Sequence, residues 1–142
     1  MPRRGSRVRN PVFRPSSLLD TGEALKMPRV LNESNGNVVA DELRIASGIW
    51  SRFWGLMGRR SLPEGHALLL EPCSSIHTMF MRFPIDVIFL DRENRVVKVC
   101  PDVKPFRAVV GHRARKALEV AAGSAARAQV EEGNQLAIVT DS

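Results

Sequence analysis

The sequence predicts a mainly β domain of the α+β class, about eight short strands with one or two short helices, closed or nearly closed into a small barrel. Three observations carry this expectation. From Pro28 onward, short apolar runs are separated by turn residues every few positions, as in Ser34-Asn35-Gly36-Asn37 and Asp91-Arg92-Glu93-Asn94. The runs are rich in β-branched residues, above all Ile85 to Leu90 and Arg95 to Cys100. Helical periodicity is confined to two stretches, too few for alternating βαβ units.

Taken in order, Val30-Leu31 and Val38-Val39-Ala40 flank Asn35-Gly36, a pair suited to the positive φ of a hairpin turn. Leu43 and Ile45 continue as a strand, and Ser47 can cap a helix over about residues 48 to 58. In that helix Ile49, Phe53, Leu56 and Met57 share one face, with Trp50 and Trp54 beside it, and Gly58 and Pro63 end it. Leu68-Leu69-Leu70 reads as a buried strand and Ile76 to Met81 as another. Ile85 to Leu90 and Arg95 to Cys100 form an antiparallel hairpin across the Asp91–Asn94 turn. Ala117 to Val120 is a strand, Gly123 to Gln129 a short alanine-rich helix, and Gln135 to Val139, after the Glu132-Gly133-Asn134 turn, the last strand.

With 44% hydrophobic and 25% charged residues, the chain has the composition of a folded globular domain. No apolar run approaches the roughly 18 residues that span a bilayer. The expected organisation is a basic, disordered leader over residues 1–27 and one domain over 28–142. The leader carries much of the charge: residues 1 to 26 hold six basic and two acidic side chains, or +4 of the net +6. It reads as a solvated extension, as sequence upstream of a true start at Met27, or as a basic arm for RNA or an anionic membrane. The remaining residues are nearly balanced and lack a clustered aromatic platform, so neither duplex nor single-stranded nucleic acid is expected on the globular part. Cys73 and Cys100 lack CxxC spacing, and residues 1–27 hold no apolar stretch of a secretory signal, which points to a cytoplasmic protein with reduced thiols.

Dinucleotide, P-loop and serine-hydrolase motifs are absent. Chemistry therefore concentrates in residues 73 to 86. On an extended chain Cys73, Ser75, His77, Met79 and Met81 share a face, a thiol, imidazole and thioether row of the kind that suits Cu(I). The alternatives are methionines that fill a core around a satisfied histidine, and a polar ligand pocket around His77. His77 and Asp86 have the residue types for general acid–base work, although Asp86 can equally cap a turn or pair with Arg82.

The blocks Trp54-Gly55-Leu56-Met57-Gly58-Arg59, Ser61-Leu62-Pro63, Leu68 to Leu70, Ser75 to Asp91, and Leu118-Glu119-Val120 with Ala122-Gly123 occur in an order that resembles the domain of unknown function 192 family. The likeness covers about residues 30 to 139. It implies a compact, mainly β domain without an assigned activity, found both in the cytoplasm and behind signal peptides. Its polar signature falls on Arg52, Gly55, Gly58, His77, Thr78, Met81, Pro84 and Asp86. The chain departs from the pattern at Gly133-Asn134, where the family often has Gly-Asp, and at His66, where a small residue is common.

The leading functional expectation is a non-catalytic, accessory or small-ligand-binding protein. Its polar pocket would lie around His77, Thr78 and Asp86, with Arg52 and Met81 as further ligand-binding candidates. The alternatives are a hydrolase-like enzyme using His77 with Asp86, soft-metal binding through Cys73, His77, Met79 and Met81, and an interaction module using Trp50 and Trp54.

Overall fold

A computed structural model describes residues 28–46, 62–78 and 81–140. Ten strands and one short helix are found among them: β1 Arg29–Asn32, β2 Asn37–Ala40, β3 Glu42–Ala46, β4 His66–Leu70, β5 Ser75–His77, β6 Ile85–Leu90, β7 Val96–Val103, β8 Ala108–Val110, β9 Lys116–Ala121, α1 Ser124–Arg127 and β10 Leu136–Val139. The predicted helix over 48 to 58, with Trp50 and Trp54, lies outside the described residues, as does the leader over 1–27.

The β1–β2 and β6–β7 hairpins form where turn chemistry placed them. Asn32 pairs with Asn37 across a loop in which Gly36 takes φ +81°, and Asp91 Oδ1 accepts the backbone N–H groups of Glu93 and Arg95 at 2.9 Å each. Strand β7 runs on past Cys100 through Pro101 to Val103; it is an edge strand, where a missing N–H is tolerated. The second helix is shorter than its alanine content predicts, and β5 stops at His77 instead of reaching Met81. Strand β8 carried no sequence signal above its surroundings.

Of the expected closed or nearly closed barrel, the strands show no full closure among the described residues, although an Arg95–Gln135 bridge and a hydrogen bond from the Leu43 N–H to the Pro28 carbonyl link neighbouring sheets. They make three sheets: β10-β1-β2, β3-β4-β9-β6-β7 and β5-β8. The five-stranded sheet is the central layer and runs open from β3 to β7. Its β3–β4 pair is parallel and its other pairs are antiparallel. A parallel pair cannot be closed by a tight hairpin, and β3 and β4 are separated by 19 residues in sequence.

Two cores follow from this layering. On one face Leu43, Leu69, Ile88, Leu118 and Val120 pack against Val30, Val39 and Leu136 of the three-stranded sheet and Ala125 of α1. On the other, Leu68, Leu70, Ile85, Val87 and Phe89 pack with Cys73, Ile76 and Met81. Strand β6 is buried along its whole length, which explains why Ile-Asp-Val-Ile-Phe-Leu shows no polar alternation.

Gly111, just after β8, is a point of close approach. A Cβ built there would lie 2.7 Å from Cδ1 and 2.8 Å from Cβ of the fully buried Phe89. Gly111→Ala is expected to destabilise the fold by about 2 kcal/mol through overpacking, seen as a lower urea midpoint at constant m-value.

Candidate functional site

The polar candidates between Cys73 and Asp86 divide by environment. Asp86 is the second residue of β6, after Pro84-Ile85, and is only 1% exposed. Its carboxylate accepts three backbone N–H groups: Asp102 on Oδ1 at 2.8 Å, and Gly123 at 3.0 Å and Ala125 at 2.9 Å on Oδ2. Gly123, the N-cap of α1, has φ +93° and no side-chain cap of its own. Asp86 therefore caps α1 from a neighbouring strand, and with its other oxygen holds the backbone at Asp102, whose φ is +50°.

Thr78 is fully buried at the end of β5. Its hydroxyl donates to the Lys104 carbonyl at 2.7 Å, with the Arg107 carbonyl at 3.2 Å, and accepts the Arg107 N–H at 2.8 Å. Its backbone N–H donates to the Arg107 carbonyl at 2.8 Å, and its carbonyl accepts the Phe106 N–H at 2.9 Å. One threonine thus fastens the 104–107 loop, in which Phe106 is held at φ +62°, strained for a bulky side chain. Thr78→Val keeps the shape but strands the Arg107 N–H and a carbonyl; a loss of about 2 kcal/mol is expected, with hydrogen-exchange protection lost first at Arg107.

His77 is exposed on the outer face of the β5–β8 ribbon, opposite Ala108, with Ser75 opposite Val110 on the same face. His77 and Asp86 make no hydrogen bond with each other: Asp86 is committed to three backbone donors within the fold, while His77 faces outward. The dyad required by the hydrolase expectation is not assembled. Nor do His77, Thr78 and Asp86 line one pocket, because Thr78 and Asp86 turn inward to the backbone.

The soft-metal row also separates. Ser75 and His77 share a face as expected, but Cys73 precedes the strand, lies in the second core and donates its thiol to the Ser75 carbonyl at 3.1 Å. Met81 is buried in that core as well, and among the described residues no three His, Cys, Asp or Glu side chains converge as metal ligands. Arg52 and Met79 lie outside the described residues. His66 sits 3.5 Å from Glu42, and Asn134 serves its turn as a carboxylate would, its Oδ1 accepting Asn32 Nδ2 at 3.0 Å and the Glu131 N–H at 2.8 Å.

Two features were missed in the sequence. The first is the company His77 keeps. From Lys104 to Lys116 five Lys and Arg residues occur without an acid. Thr78 brings Arg107 beside β5, Lys98 reaches across to donate to the Val110 carbonyl at 2.9 Å, and Arg113 sits in the turn after β8. Lys104 pairs with Asp102 and Lys116 lies 3.8 Å from Glu71. Among the described residues Lys98, Arg107, Arg113 and Arg115 have no carboxylate partner, as is also true of Arg29, Arg44, Arg82, Arg92 and Arg95. The run of bases from Arg113 to Lys116 was the available signal, diluted when charge was summed over the whole domain.

The second is Glu119, in the middle strand of the central sheet, across from Leu68 and Val87. It is 6% exposed, and burial pushes its carboxyl up from 4.5 to about 7. Its signal was an acid inside Ala-Leu-Glu-Val-Ala, a run otherwise fit for burial on both faces.

Residues 30–138 match the model of the domain of unknown function 192 family, described as an uncharacterized ACR. The chain belongs to this family. UPF0127 proteins of Pyrococcus furiosus and Pyrococcus abyssi are each 34% identical to it, over 75% of this chain and 95% of the first relative and over 78% and 97% for the second. Two solved structures share the fold. A protein of unknown function from Novosphingobium aromaticivorans has a TM-score of 0.69 at 19% identity, covering 84% of this chain and 91% of that one. A putative transcription regulator from Sinorhizobium meliloti has a TM-score of 0.69 at 21% identity, covering 81% and 94%. As in the family at large, the function is uncharacterised. No helix among the described residues is long and apolar enough to cross a membrane.

Proposed function

We propose that this domain is a non-catalytic binding module that receives small anionic ligands, carboxylate or phosphate groups, on the β5–β8 ribbon. His77 contacts the ligand, and Thr78 and Asp86 act as positioning residues: Thr78 fastens the loop that presents Arg107, and Asp86 holds the bend at Asp102 through which β7 enters that loop. The observation that carries the reading is the set of guanidinium and ammonium groups without a carboxylate partner among the described residues on and beside the ribbon that exposes His77. Charge-assisted bonds to an anion are the interaction these donors lack.

The test is an NMR titration of the full chain with inorganic pyrophosphate at low salt. Saturable shifts are expected at the His77 imidazole and the Arg107 amide, and Arg107→Ala should weaken binding about tenfold. Shifts that never saturate, or that fall elsewhere on the domain, would overturn the reading. Because His77 is exposed and bears no part of the core, His77→Ala is expected to change stability by no more than about 0.5 kcal/mol in urea unfolding while weakening pyrophosphate binding.

A further inference from the structure

We infer that the natural anionic ligand of the β5–β8 ribbon is single-stranded nucleic acid. This rests on the anion-binding reading above and deepens it. Three observations point from a small anion to this polymer.

The first is segregation of charge. Residues 98–116 hold six basic side chains against Asp102, while the other described residues hold six basic and eleven acidic ones. The described residues together are neutral, so among them the excess positive charge lies in the segment that carries β8 and its flanking loops. Such a concentration of charge attracts a polyanion.

The second is spacing. The cations extend beyond the reach of one small anion held at His77 and Arg107. They are strung out: Arg107 precedes β8, Lys98 crosses beside it, and Arg113 and Arg115 follow it. Along an extended chain Arg107 and Gly111 are about 13 Å apart. A row of this length suits successive phosphates of one strand.

The third is the apolar surface set among the charges. Phe106 is 63% exposed and Val110 46% exposed, two of only four large hydrophobic side chains so exposed among the described residues. Phe106 adjoins Thr78 through its backbone, at the same end of the ribbon as His77. An aromatic ring next to Arg107 in the chain and an imidazole at the same end of the ribbon offer unstacked bases the faces on which single-strand binding depends. In a duplex those base faces are already stacked.

The experiment is fluorescence anisotropy of the full chain with a labelled twelve-nucleotide oligouridine, beside a duplex of equal length and competition by pyrophosphate. The single strand is expected to bind with a log–log salt slope of about −3, as for roughly four phosphate contacts. Phe106→Ala should weaken single-strand binding about tenfold and leave pyrophosphate binding unchanged, since it removes stacking but no charge. Replacing Arg107 and Arg113 together by Gln should weaken both ligands, whereas the paired control Arg44→Gln with Arg92→Gln should weaken neither. Tighter binding of the duplex, or indifference to Phe106→Ala, would overturn the nucleic-acid inference while the anion reading stands. Single-strand binding that survives the Arg107 and Arg113 changes would also overturn it, by locating the contact elsewhere in the chain. Failure of both ligands to bind would overturn the two readings together.

Discussion

Replacing Glu119 by Gln is expected to remove a pH dependence of stability that the wild-type chain carries between about pH 4.5 and 7. The carboxyl is held on the apolar face of the central sheet, between Leu68 and Val87, and burial raises it to about 7. In that window the folded state holds a proton that the unfolded chain releases. Stability is therefore greatest below the unfolded value, declines as pH rises toward 7, and is constant above it with respect to this group. The total decline is about 3 kcal/mol, since each pKa unit is worth about 1.4 kcal/mol. Glutamine does not titrate, so its unfolding free energy should lack this decline. The cost of burying an amide is the same at every pH, and all other titrating groups are common to both proteins. The decisive quantity is thus the change in the gap between variant and wild type from pH 4.5 to 8. It should move by about 3 kcal/mol in favour of the variant in urea unfolding. Parallel profiles would show that the carboxyl ionises in the folded state with compensation from a partner or water.

The larger single effect is expected at Asp86. Asparagine matches aspartate in shape, yet it offers one carbonyl oxygen and an NH2 group where three backbone N–H donors now converge on two anionic oxygens. Whichever way the amide is turned, at least one donor faces another donor in a site that is 1% exposed. Charge-assisted bonds are worth about 1.5 to 3 kcal/mol each, so a loss of about 4 kcal/mol is expected for Asp86→Asn. That is a large fraction of the about 5 to 15 kcal/mol that holds a domain folded. The damage should spread unevenly: α1 loses its only cap and the bend at Asp102 loosens, so amide protection should fall at Ala125 and Asp102 before it falls in β9. A variant as stable as wild type would show that the carboxylate is not a structural hub, and would return it to the list of groups free for chemistry. The contrast with His77→Ala, expected to be nearly silent for stability, separates positioning from contact within the same stretch of sequence.

Residue types and local patterning determined much of this protein. The Asn-Gly hairpin, the β6–β7 hairpin across Asp91–Asn94, the buried strands β4 and β9 and the family blocks were legible because each depends on neighbours within a few residues, where turn chemistry and β-branching act directly. The core role of Met81 was among the readings the residues allowed, and the structural role of Asp86 was as well. Other features belong to the tertiary structure alone. Whether the strands close into a barrel depends on which edges meet, and the parallel β3–β4 pair and the division into three sheets arise from contacts far apart in sequence. The partners of Asp86 lie 16, 37 and 39 residues away, and those of Thr78 up to 29 away, so no local pattern could show that both carboxylate and hydroxyl are consumed by backbone. Charge falls on both sides. A sum over the chain is blind to position: the basic segment 98–116 is legible in the sequence once charge is read locally, whereas its pairing with β5 and the partners of Lys104 and Lys116 come from the folded arrangement.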